Sequence, residues 1–528
     1  MASGTKNAAK QRVPAARRRD ADTMRASLLA APLLALGASC GGGDGAGEVG
    51  RGVLVIAVDA LRADHLSALG YDRETTPRLE RFARRGVLFA NAWSSAPEMT
   101  PAHVTLLTGC YPEIARMPPL PDGSMPISTW SVPGDVPRLA QEFLASGWRT
   151  AAFVDHAGLG ETPGLSQGFQ TYEDPGDAQR AGDNWFGIEG VGRRFVDWLR
   201  RLEHEEEWFA YLHLNDLDRM WGGLEGELEP RFPPRGSESV PPVSDERPIF
   251  FAVPRSRWDG EAHTLGEYES LYDTALWHLD VKLSSLLEEL RRRGRLDCTT
   301  VAIVGSFGFG FGESGLVVDN GSLSDVDLHV PLYVHVDQSV GYPIGREVRE
   351  LVSTVDLAPT LLDLAQISKP AGMHGRSLVP LIWGPGTPGG STPPVREEAY
   401  ASSALYPGFA VVDRRFCYEY AEIGARPSRL ALSWYGLDRP TKDEADFLRE
   451  GTSRVLHDRD SDPRPGHLRR GVDDEQRAQS MHARGEAWRA LVLRARDVLH
   501  RVPWREARSD PEELAELRRL GMIGDLPP

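Results

Sequence analysis

Residues 52–59 read GVLVIAVD, an unbroken apolar run that ends in an acid. A run without polar alternation is a strand buried on both faces, and such strands belong to parallel sheets covered by helices. The closing acid, Asp59, sits where open α/β sheets place their sites, just beyond the carboxyl end of a strand. The chain repeats this grammar. TTPRLERFARRG predicts a helix with Thr75 or Thr76 as cap and Pro77 in its first turn. VLFANAW predicts a strand, MTPAHVTLLTG a helix opened by Pro101, PRLAQEFLASG a helix and WRTAAFVD a strand. Helix is expected over Phe195 to Leu202, then strand over WFAYLHLND, ending in Asn215 and Asp216. Tyr268 to Arg293 carries Leu271, Ala275, Leu279, Leu283 and Leu286 near helical spacing. CTTVAIVG and HVPLYVHV are further strands, and VDLAPTLLDLAQI a helix. Strands alternating with helices give an α/β fold: a large, mostly parallel sheet sandwiched by helices.

Other segments depart from that pattern. Between Asp216 and about Leu265, Pro, Gly and charge predict a long surface insertion. After Pro394, AYASSALY, FAVVDRRFCYEYA and RLALSWYGL predict a small C-terminal antiparallel sheet, and DPEELAELRRLGMIG a short helix capped by Asp510 and Pro511. At the other end, MRASLLAAPLLALGASC has one Arg, a short apolar core and small residues before Cys40. That is a signal-peptide pattern too short to span a bilayer. The expected division is a signal segment with an N-terminal over-extension (1–40), a Gly-rich tether (41–51), an α/β domain (52–393) and a C-terminal subdomain (394–528). Cys40 resembles a bacterial lipoprotein cysteine, which would place the chain outside the cytoplasm, in the cell envelope and held to a membrane by lipid.

The formal charge of -16 argues against nucleic acid and against polyanionic sugars as general partners, and leaves room for a local basic pocket. Cys40, Cys110, Cys298 and Cys417 form no CxxC pair and no zinc spacing, so neither a disulfide framework nor a zinc site is expected.

The phrases VLVIAVDALRADHLSALGYDRETTPRLERFARRGVLFANAW, HVTLLTGCYP, LASGWRTAAFV, FAYLHLND and LVSTVDLAPTLLDLAQI with HGRSLVPL resemble the sulfatases, within the alkaline phosphatase superfamily. The resemblance covers about residues 52–525 in the family's order. It implies a divalent metal, usually calcium, held by acids at strand ends. It also implies a formylglycine nucleophile made from Cys or Ser, and basic groups for the ester oxygens.

Position by position, the chemistry is missing. Asp59 remains of the first metal pair, but its neighbour is Ala60. The nucleophile position falls on Met99, a thioether that cannot become an aldehyde, and the family's Arg position on His103. In VAIVGSFGFGFGESG the metal Asp has become Ser306, the next ligand Phe307, the following Glu Phe309 and the later His Ser314. The substrate-contacting His lands on Asp218. One carboxylate does not hold calcium usefully. The expectation is therefore a sulfatase-like pseudoenzyme without a cofactor, binding an unknown protein or glycan. Its vacated pocket would be lined by Met99, Phe307 and Phe309, with core filling the preferred role for the aromatics. An active hydrolase of sulfate or phosphate esters, using calcium, would need substitute ligands from Asp64, Asp155, His156, Asp216, Asp218 and Glu313 converging beside Asp59. A metal-free hydrolase using Ser306 or Thr100 with His103 has no Gly-x-Ser-x-Gly elbow behind it.

Overall fold

The computed structural model describes residues 49–116, 130–160, 162–178, 186–219, 230–236, 253, 257, 263–313, 317–337, 345–384, 395–404, 407–422, 452–460 and 474–501, with 515 and 519. Cys40, Ser314 and the predicted strand RLALSWYGL lie outside them, as does the terminal phrase apart from those last two positions.

Strand β1 (Gly52–Val58) is the axis. Its neighbours are β5 (Trp208–Leu214) and β6 (Thr299–Gly305), both parallel, with Gly52 opposite Trp208 on one side and Thr299 on the other. The remaining strands of this nine-stranded sheet are β2 (Val87–Trp93), β3 (Arg149–Phe153), β4 (Thr171–Glu173), β9 (His329–His335), β10 (Arg346–Val348) and β11 (Val352–Ser353). The order is β10-β2-β9-β6-β1-β5-β3-β4, with β11 also on β2. Only β9 runs against its neighbours. A small hairpin, β7 (Gly310–Phe311) with β8 (Val317–Asp319), follows β6.

The apolar run of β1 is divided between two cores. Val53, Val55 and Ala57 join one cluster, and Leu54, Ile56 and Val58 the other, as a period of two requires. The first face is covered by α2 (Met99–Thr108), α3 (Leu139–Ala145) and α6 (Leu357–Leu364). The second is covered by α1 (Pro77–Ala83), α4 (Gly187–Leu199) and α5 (Leu265–Arg292). Helix α4 starts eight residues earlier than the apolar spacing predicted, because Asp155 and Asp216 receive its first N–H groups. Helix α5 is fixed at its start by a reciprocal capping box between Thr264 and Glu267. Leu54 is fully buried, and Leu54→Ala would cost about 2–5 kcal/mol.

The second sheet is antiparallel: β12 (Ala399–Ser402), β13 (Gly408–Val412), β14 (Phe416–Glu422) and β15 (Thr452–Asp458). FAVVDRRFCYEYA supplies two of these strands, β13 and β14, and β15 falls on a stretch for which no strand was expected. A 27-residue helix that the sequence reading missed, α7 (Glu475–Arg501), packs Met481, Trp488 and Val492 into the same core as Phe409 and Tyr418. Gly485 allows the crossing, since a Cβ there would meet the Phe409 ring at 2.0 Å. Cys110, Cys298 and Cys417 are buried and free. No helix among the described residues is long and apolar enough to cross a membrane.

Candidate functional site

Because β1, β5 and β6 are parallel and in register, their carboxyl ends deliver Asp59, His213 and Ser306 to one spot. Helix α2 adds His103 from the opposite side. All four are buried. Asp59 is the hub. Its Oδ1 lies 2.8 Å from His103 Nε2 and accepts the Ser306 hydroxyl, and its Oδ2 lies 2.9 Å from His213 Nε2. Burial alone would raise the Asp59 carboxyl, yet His213 and His103 outweigh it and hold the group well below the usual carboxylate range.

The second ring nitrogens decide what this cluster can do. Asp155 donates its backbone N–H to His213 Nδ1 at 3.1 Å, so Nδ1 is bare and Nε2 carries the proton. Burial pushes His213 down to about 4, which keeps the ring neutral. On His103, Nδ1 sits 2.5 Å from the Tyr211 hydroxyl. With Nε2–H on the carboxylate, that Nδ1 accepts the phenol proton. Burial and the Asp59 charge keep Tyr211 protonated by raising it far above its usual value.

Asp59, His103 and His213 are close enough to be a metal-ligand group. A metal needs lone pairs. His213 Nε2 has none to offer while Nδ1 takes the Asp155 amide, and both Asp59 oxygens already accept hydrogen bonds. Calcium, which takes six to eight oxygens, does not fit a site with one carboxylate and two imidazoles. Three polar hydrogens stabilise the charge of the hub.

The turn after Asp59 has an uncommon backbone shape. Ala60 has φ 57°, a left-handed value rare outside glycine and short polar residues. Tyr272 holds it there, donating to the Ala60 carbonyl at 2.7 Å and accepting the Arg62 N–H at 3.1 Å. Met99 stands in the first turn of α2, packed against both cores, and a Cβ at Gly158 would meet its methyl at 3.3 Å. Thr100 follows it in the same turn. Phe307 and Phe309 are buried in the second core, where Phe309 stacks on Tyr272. Gly308 is obligatory, because a Cβ there would lie 2.0 Å from the Val326 carbonyl.

None of the proposed substitute ligands joins Asp59. Asp64 and Glu313 both grip the buried Arg62 at 2.7 Å. Asp155 bonds the amides of Gly187 and Asn215 and the guanidinium of Arg219, and Asp216 bonds the amide of Ile188. Burial and the neighbouring Asp216 push Asp155 up to about 7. Asp218 pairs with Arg257 at 2.7 Å, and His156 is exposed, accepting the Gly158 N–H. The sequence reading missed His213 and Tyr211. The signal was there: they stand two apart near the end of a strand, so they share the face that meets Asp59.

A second buried cluster lies nearby. Asp273 of α5 meets His65 Nδ1 at 2.8 Å, Arg73 Nη1 at 2.6 Å and the Tyr71 hydroxyl at 2.8 Å, and Tyr71 also reaches Glu269. His65, Glu269 and Asp273 are likewise close enough to be metal ligands, but Arg73 already occupies the carboxylate.

Comparison with known proteins agrees with this architecture. The family model described as Sulfatase matches residues 51–367. The chain is 33% identical over 107 residues to the extracellular sulfatase SULF-1 homolog of Drosophila melanogaster, a match spanning 20% of this chain and 9% of that protein. It is 25% identical over 355 residues to a delta 4,5-hexuronate-2-O-sulfatase of Bacteroides thetaiotaomicron, covering 63% of this chain and 71% of the relative. In fold it is similar to the phosphonate monoester hydrolase of Agrobacterium radiobacter, with a TM-score of 0.58, 19% identity, and 84% and 95% of the two chains covered.

Proposed function

The chain belongs to the sulfatase family, and on that premise we propose that it is a member whose hydrolytic centre has been retired in favour of binding. The reading rests on one observation above all: both Asp59 oxygens, and both ring nitrogens of His103 and of His213, are already hydrogen-bonded within the protein. A sulfate ester entering there would meet a buried anion, a methionine at the nucleophile position and no Lys or Arg among the described residues bonded to Asp59. The protein is read as exported, lipid-anchored through Cys40 in a bacterial cell envelope, and engaging a glycan or a protein rather than nucleic acid. The similarity to a hexuronate sulfatase directs the ligand search toward sulfated sugars. The test is metal content of the purified chain after dialysis against calcium, together with turnover of aryl sulfates and phosphate esters. The expected result is no stoichiometric calcium and no turnover above that of Asp59→Ala. Bound calcium with turnover lost in Asp59→Ala overturns the reading.

A second reading, an ester hydrolase with a rearranged metal site, draws on the closeness of Asp59, His103 and His213. It requires His213 to turn away from the Asp155 amide so that Nε2 is free to ligate.

A further inference from the structure

The small antiparallel sheet meets the α/β unit along a seam that is apolar at one end and acidic at the other. At the apolar end Cys417, Ala410 and Val412 pack with Trp93, Leu323, Leu328 and Leu351. Glu419 belongs to the same face. It lies two residues beyond Cys417 on β14 and pairs with Ala410 of β13. Opposite stands the helical turn Asp325–Leu328, whose Asp325 and Asp327 are buried. Strand β15 adds His457, also buried, which pairs in register with Cys417 and lies 2.9 Å from Asp325 through Nδ1. Three carboxyls, one imidazole and the Cys417 thiol therefore share the seam.

The three carboxyls are not equally served. Asp325 has His457. Asp327 receives the Gly321 amide at 3.2 Å and the Ser322 amide and hydroxyl at 2.7 and 2.6 Å, donors that favour its ionised form. Glu419, partly buried, has no hydrogen bond or ion pair to its carboxyl among the described residues. Burial, and after it Asp325, push that carboxyl up to about 8, with His457 opposing the rise and Asp327 adding to it. The same turn reaches the Asp59 centre. The Asp327 carbonyl accepts the Gly308 N–H at 2.7 Å, and the Leu328 carbonyl accepts the Ser94 N–H at 2.7 Å. Ser94 in turn donates its hydroxyl to the Ser306 carbonyl at 2.6 Å. The loop that carries Ser306 is thus tied to the turn that faces Glu419.

We propose that this seam is a proton-operated joint: it is closed while Glu419 carries its proton, and it opens as Glu419 ionises against Asp325 and Asp327, loosening the loop beside Asp59. An open seam returns Glu419 to water and to an ordinary value of about 4.3. The closed seam binds the proton more tightly, so rising pH favours opening, by up to about tenfold per unit, until about 8. The inference holds whether or not the Asp59 centre is catalytic.

Cys417 reports on the joint, because it is fully buried on the shared face. The test is its labelling by N-ethylmaleimide in the full chain from about pH 5.5 to about pH 8, located by peptide mass mapping and divided at each pH by the rate for free N-acetylcysteine. The normalised rate should climb about tenfold or more across that range in the parent. It should stay flat in Glu419→Gln, and in Glu419→Ala as a second uncharged variant. The climb should persist in His457→Gln. Hydrogen exchange of residues 306–311 should follow the same trend, while β1 keeps its protection. A flat rate in the parent overturns the proposal, as does an equal climb in both Glu419 variants. Loss of the climb in His457→Gln would assign the trend to the imidazole instead. Loss of β1 protection in step with Cys417 labelling would mean unfolding of the whole chain and would overturn the joint as well.

Discussion

Asp59 and Asp273 are both fully buried carboxylates facing histidine, yet they are stabilised in opposite ways. Asp273 has a guanidinium, Arg73, at 2.6 Å. Asp59 has none, and is held by a neutral imidazole, a second imidazole and a hydroxyl. One site is a completed ion pair of the scaffold. The other is a carboxylate held by hydrogen bonds alone among the described residues. The difference separates two ways of keeping a buried charge in one molecule.

Breaking the two carboxylates in turn is the strongest test. Asp273→Ala strands the buried Arg73 guanidinium and should cost about 3–5 kcal/mol in denaturant unfolding. Asp59→Ala removes an anion that no cation balances, so the relieved burial offsets part of the lost bonding, and the cost should be about 1–3 kcal/mol. Equal costs would erase the distinction. The next test uses pH. Asp155, pushed up to about 7 by burial and Asp216, binds a proton more tightly folded than unfolded, so its contribution falls as pH rises from about 4 to 7. His213, pushed down to about 4 by burial, does the reverse: its contribution is lost as pH falls below about 6.5. In Asp155→Asn the first trend disappears. The stability difference, variant minus parent, should therefore climb with pH by up to about 1.4 kcal/mol per unit across that window. A flat difference would remove Asp155 from the account. Ala60→Gly should stabilise by about 1 kcal/mol or less, read as a rise in melting temperature, because it relaxes a left-handed alanine. The smallest expected effect is that of metal. An ion at a hundred times its Kd would add about 2.7 kcal/mol, so an unchanged melting temperature with calcium or EDTA marks the Asp59 cluster as sealed.

Much of this was legible in the chain itself. Apolar runs such as GVLVIAVD and TTVAIVG are bound to their fold because burial on both faces leaves a strand no other place. The losses at Ala60, Met99, Ser306 and Phe307 could be read because they interrupt phrases whose surroundings are intact. The rest of the Asp59 cluster was harder to see. His213 sits inside an apolar strand and Tyr211 two residues before it. Only the register of β5 on β1 brings Asp59 beside them, and register is a long-range fact. Helix α7 was missed although its pattern is present: Ala478, Met481, Trp488, Val492, Ala495 and Leu499 recur at helical spacing in an Arg-rich stretch and pack into the core that holds Phe409 and Tyr418.

The turn at Ala60 holds an uncommon backbone shape behind an ordinary side chain. Its left-handed backbone is clamped by Tyr272, a residue 212 positions away. A shape fixed from so far away does not depend on the side chain it presents, so substitutions at positions 60, 99, 306 and 307 can change the chemistry of this pocket without rebuilt loops.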